Sequence, residues 1–76
     1  MSPELCAEAL FCSSLQPSEK PTATQVDDAV TAMLLLHGSD GCAALMAQEC
    51  GDHPEAAADR MRWCGSLVRT FQPSHV

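Results

Sequence analysis

The side chains in this sequence that could do chemistry are mostly thiols and imidazoles: Cys6, Cys12, Cys42, Cys50, Cys64, His37 and His53. Such a set of soft ligands is large enough to hold zinc or copper. The cysteines form no C-x-x-C pair, however, and the spacings build no paired zinc signature. A nucleophile needs a base held beside it and a pocket that keeps water out. The sequence has no G-x-S-x-G elbow, no Gly-rich phosphate loop and no paired-carboxylate motif. The reading is therefore a non-enzyme with no metal and no cofactor. A thiol-sensing or cysteine-based metal-binding protein stands as an alternative. Five cysteines, an odd number, would leave one unpaired in a disulfide framework. They read as reduced thiols acting as small buried hydrophobes in a cytoplasmic protein.

These residues must be positioned by a short chain. Its 76 residues allow one domain over 1–76, with 1–2 and 72–76 expected to fray. A chain of this size buries only about 60% of the surface its unfolded form exposes. With one Trp, two Phe and no Tyr, its core must come from Leu, Met, Val, Ala and Cys. No β-branched run or alternating stretch occurs, so no strand is assigned. No apolar run approaches the roughly 18 residues of a membrane span, and Met1–Ser14 lacks a basic leader. Formal net charge is −6, with −4 over residues 1–38 and −2 over 39–76. All three arginines lie beyond the last acid, Asp59. Long-range attraction to nucleic acid or an anionic membrane is thus opposed, while a local basic patch remains at the C-terminal end.

Capping chemistry and periodicity divide the chain into four helices, roughly 3–15, 23–37, 41–50 and 54–71. Ser2 and Pro3 open the first, whose apolar residues wrap most of its circumference and so make it central or doubly packed. Gln16 to Pro21 is a polar break. Thr22–Gln25 forms a T-x-x-Q capping box ahead of Val26, Ala29, Val30, Met33, Leu34 and His37 on one face. Leu35 and Leu36 widen that apolar arc, either to touch two neighbouring helices or to form a partner or dimer surface. Gly38 to Gly41 breaks the pattern, with Ser39 or Asp40 as the next cap. The third helix places Cys42, Leu45, Met46 and Cys50 on one face. Gly51 is expected to terminate it in a left-handed conformation. Asp52 and Glu55 then make a D-x-x-E box for the fourth helix, with Ala57, Met61, Cys64, Val68 and Phe71 turned inward. Gly65 marks a close helix contact.

Ala47, Gly51, His53-Pro54-Glu55 and the buried-type positions Ala57, Met61 and Cys64 resemble the helix-turn-helix of bacterial transcription factors and sigma-factor-like domains. ALFCSSLQPSEKPTATQV and the GDHPE…RMRW run are also similar to short actinomycete proteins. The first resemblance implies a helix-turn-helix-like unit over 41–71, and the second implies a fold without a role. Base readout needs Arg, Lys, Asn or Gln at the start of the recognition helix, where this chain has Glu55, Ala56, Ala58 and Asp59. Four Lys and Arg in all are few for a phosphate-gripping surface. A DNA-binding dimer is therefore the alternative, and protein docking the main reading. The partner-binding residues read from the sequence are Leu35, Leu36, Arg60, Arg62, Trp63, Leu67 and Arg69. Trp and Arg are the types most enriched at binding hot spots, although Trp63 is equally suited to be the largest core residue. The function expected is that of a small regulatory protein acting through contacts with a protein partner, with transcription machinery, or as a homodimer.

Overall fold

The computed structural model describes residues 3–71. They form α1 (Pro3–Cys12), a single 3-10 turn (Pro17–Glu19), α2 (Ala23–Asp52) and α3 (Pro54–Phe71), with no strand among them. The expected fraying of 1–2 and 72–76 lies outside the described residues. The all-α reading holds; three helices are counted among the described residues, the second of them two helical segments run together across Gly38.

The difference in count lies in α2. The segments expected at 23–37 and 41–50 follow each other with a single residue, Gly38, out of helical geometry between them, at φ 70°, ψ 171°. That combination belongs almost only to glycine, because a Cβ there collides with the backbone. The chain therefore kinks without a loop. Gly41 is needed for a different reason: a Cβ on it would sit 2.9 Å from the Cβ of His37. The two glycines of GSDG thus act together, one setting the bend and the other clearing its inner side.

Both ends of α2 can be traced to individual residues. At its start the Thr22–Gln25 box closes in both directions: the Gln25 amide donates to Thr22 Oγ1 at 3.2 Å, and the Thr22 amide to Gln25 Oε1 at 2.8 Å. At its end the expected stop at Gly51 does not occur. Gly51 stays helical, α2 runs on to Asp52, and the turn to α3 is made by His53 alone (φ −138°, ψ 68°). Asp52 accordingly completes α2 instead of capping α3. The His53 carbonyl accepts the Ala57 amide at 2.8 Å, so α3 begins at once, with Pro54 in its first turn.

The sheltered residues come from all three helices: Ala7, Ala9, Leu10 and Phe11 of α1, Val26, Val30 and Cys42 of α2, and Ala57, Cys64 and Val68 of α3. Helix α1 packs against both others, as its all-round apolar surface predicts. Small residues at these contacts (Ala9, Cys42, Ala57, Cys64) let the helices approach without aromatic spacers. Of the third helix's expected face, Cys42 and Met46 pack inward, whereas Leu45 and Cys50 are exposed. Gly65 marks no close helix contact, since a Cβ there would meet only Arg69 Nη1 of its own helix at 3.9 Å. By length and composition α2 also meets the measure of a membrane-crossing helix, its best 18-residue window having mean hydropathy 1.3. Helices of globular proteins meet the same measure.

Candidate protein-docking surface

The seven residues assigned to partner binding separate into three settings. Leu35 and Leu36 stand 82% and 71% exposed, just before the Gly38 kink. Helix α1 covers the face carrying Val26 and Val30, and no element among the described residues covers the opposite one. The wide apolar arc is therefore not used to touch two neighbouring helices. Leaving a leucine side chain in water forgoes roughly 1.5–3 kcal/mol relative to full burial, and here two adjacent ones do so. Along its whole length α2 carries five acids (Asp27, Asp28, Asp40, Glu49, Asp52) and no Lys or Arg. The exposed leucines thus sit on a helix whose charged residues are all acidic.

Arg60 is in the opposite situation. It projects from α3 onto the C-terminal end of α1 and uses four of its five N–H donors on main-chain carbonyls. Nε donates to Phe11 at 2.9 Å, Nη1 to Leu15 at 2.9 Å, and Nη2 to Ser13 at 2.7 Å and Leu10 at 3.3 Å. The physical need is plain. The last carbonyls of a helix have no partner within it, and α1 has no basic residue in its final turn to meet the negative end of its dipole. A planar guanidinium with a fixed fork of donors meets that need from another helix. The cation also lies 5.7 Å from the Phe11 ring centre and 5.5 Å from that of Trp63. Sequence reading assigned Arg60 to partner binding; here four of its donors are spent within the chain.

Trp63 and Leu67 are half-buried and pack against the core, leaving only part of each for a partner. Arg62 and Arg69 are exposed; Arg62 pairs with Asp59 one turn earlier, which leaves Arg69 as the exposed α3 arginine without an ion pair among the described residues. The structure thus gathers Arg60, Trp63 and Leu67 at the α1–α3 seam. It holds Leu35 and Leu36 apart from them on α2.

Near the Arg60 clamp an open cleft of about 460 Å³ is lined by Cys12, Ser13, Gln48, Glu49, Ala57 and Arg60, among others. Burial pushes the Cys12 thiol up to about 11, with further upward contributions from Cys42 and Glu8 and a downward one from Arg60. Burial likewise pushes Cys64 up to about 11, against a smaller opposing effect of Arg60. Both thiols are therefore protonated and weakly nucleophilic near neutral pH. No group of three or more His, Cys, Asp and Glu side chains is placed to hold a metal ion among the described residues.

Fold and surface together define a class and no more: an all-α protein, with three helices among the described residues and two adjacent leucines of α2 left exposed. Set beside known proteins, the chain matches no family model, no curated protein and no solved structure.

Proposed function

We propose that this is a small, non-catalytic regulatory protein of the cytoplasm that works by docking on another protein through Leu35 and Leu36. The observation that carries the proposal is the exposure of those two leucines, 82% and 71%, beside a kink that fixes their direction. Exposed leucines on a helix face are the kind of apolar contact that helix-on-helix recognition uses.

Charge narrows the choice of partner. Helix α2 carries five acids and no Lys or Arg, so pairing two copies along this helix sets acid against acid and is opposed. A partner helix with apolar residues at i, i+3, i+4 and i+7 and flanking lysines or arginines meets both features. A component of the transcription machinery with such a segment fits. In this reading the helix-turn-helix-like stretch over 41–71, which ends α2 and includes α3, is scaffold. The clamping of Arg60 leaves only Arg62 and Arg69 on α3 for phosphates.

The test uses a synthetic amphipathic peptide with a leucine stripe and lysine flanks, titrated by fluorescence anisotropy. The intact protein should bind it, and L35S/L36S, which leaves the charge unchanged, should weaken binding by at least about tenfold. Equal affinity in the double variant would mean charge attraction alone and would overturn the proposal, as would no binding at all. Far-UV circular dichroism of the variant confirms that the helices persist.

A further inference from the structure

Cys12 is the last residue of α1, and Cys42 lies four residues beyond the kink in α2. Cys12 Sγ donates to the Cys42 carbonyl at 3.2 Å, which sets the Cys12 sulfur against the main chain of Cys42. Cys42 Sγ in turn points at the Met33 carbonyl, 3.7 Å away, on the other side of the kink. Access to the pair is uneven. Cys12 opens onto the cleft beside Arg60, whereas Cys42 is fully buried. The other three cysteines are arranged differently: Cys64 is buried on α3, Cys50 is exposed near the end of α2, and Cys6 is half-buried on α1.

We propose that Cys12 and Cys42 are a modification site, a thiol pair that closes to an intramolecular disulfide when a low-molecular-weight disulfide enters the cleft. The thiolate of Cys12 attacks one sulfur of the small disulfide, forms a mixed disulfide and expels one small thiolate. The sulfur of Cys42, giving up its proton, then attacks Cys12 Sγ, and the second small thiolate leaves. Two protein thiols are oxidised by two electrons, one small disulfide is reduced to two thiols, and the two protons end on those products. The order follows from access, since Cys12 lines the cleft and Cys42 is fully buried. The bond closes a loop of about 30 residues and ties the end of α1, which Arg60 holds from α3, to α2 beyond the kink. The groups facing Cys12 are Glu8 on α1, Cys42 on α2 and Arg60 on α3. With its pKa near 11 the first step is slow at neutral pH and quickens about tenfold per unit as pH rises toward that value.

The experiment exposes the reduced protein to glutathione disulfide at pH 8.5, followed by intact mass, peptide mapping and thermal melting. Expected are a loss of about 2 Da, a Cys12–Cys42 cross-linked peptide, and a Tm higher by about 10 °C. C12S should abolish all three, while C50S and C6S leave them in place. C42S adds a second control where it folds, and C12S, at a half-exposed position, serves where it does not. A cross-link mapped to other cysteines, the same mass loss in C12S, or only mixed disulfides with glutathione would overturn the assignment. None of these outcomes depends on Leu35 or Leu36, so the site stands or falls apart from the docking reading.

Discussion

Arg60 Nη2 donates to the carbonyl of Ser13 across 2.7 Å of space and 47 residues of sequence. Three more bonds from the same guanidinium reach Leu10, Phe11 and Leu15, so one side chain closes the end of α1. Hydrogen bonds involving a charged group contribute about 1.5–3 kcal/mol each, and leaving the carbonyls unmet carries its own cost. Arg60→Ala should therefore destabilise the fold by about 3 kcal/mol or more, a large share of the total for a domain this small. Arg60→Lys should recover less than half, because an ammonium cannot span four carbonyls. Urea unfolding checks both, and a lysine variant as stable as wild type would contradict the geometry.

The kink gives a second expectation. Gly38→Ala puts a Cβ into a conformation almost reserved for glycine and should cost about 1–3 kcal/mol. Gly41→Ala should also destabilise, because its Cβ would press on that of His37 at 2.9 Å. Chemical denaturation of the two single variants measures each effect.

Two other glycines should respond in the opposite way. Gly51 is helical with open space around its Cα, and a Cβ on Gly65 would make only an ordinary contact at 3.9 Å. Alanine at either position should stabilise by about 0.5–1 kcal/mol, raising Tm by several degrees. A destabilised Gly51→Ala would restore the left-handed terminator that the sequence suggested.

The buried thiols set a pH dependence. Cys12 and Cys64 keep their protons up to about 11 when folded, against an ordinary thiol value near 9. Between those values the unfolded chain releases protons that the folded one retains, so stability falls as pH rises through that window. Below about 9 both states are protonated and the contribution is fully present. Thermal melts from pH 7 to 11 should show the decline, and C64S, which removes one of the two groups, should flatten it.

Much of the fold was legible in local chemistry. The absence of alternating β-branched segments, the Thr22–Gln25 box and the periodicity of α3 each specify what forms there. The central place of α1 follows from its all-round apolar surface. Less legible was the G-S-D-G stretch, because glycines that bend a helix and glycines that end one look alike until the dihedral angles are known. Gly51 was misleading for the same reason. Arg60, read from the sequence as a partner-binding residue, shares a helix face with Ala57 and Cys64 at spacings of three and four. Its inward direction was signalled there, and again by an α1 whose last turn contains no basic residue. Leu35 and Leu36 were legible as surplus apolar surface, but whether another helix of the chain would cover them depended on the number of helices. The Cys12–Cys42 contact spans 30 residues and has no local signature at all.

The Arg60 clamp also has a bearing on synthesis. On the ribosome, α1 lacks its closing cation until nearly fifty further residues have been translated and cleared the exit tunnel. A nascent chain arrested before that point keeps the Ser13 amide and hydroxyl on the Leu10 carbonyl but has no guanidinium for those of Phe11, Ser13 and Leu15. Completion of this fold is thereby delayed until its last helix has emerged.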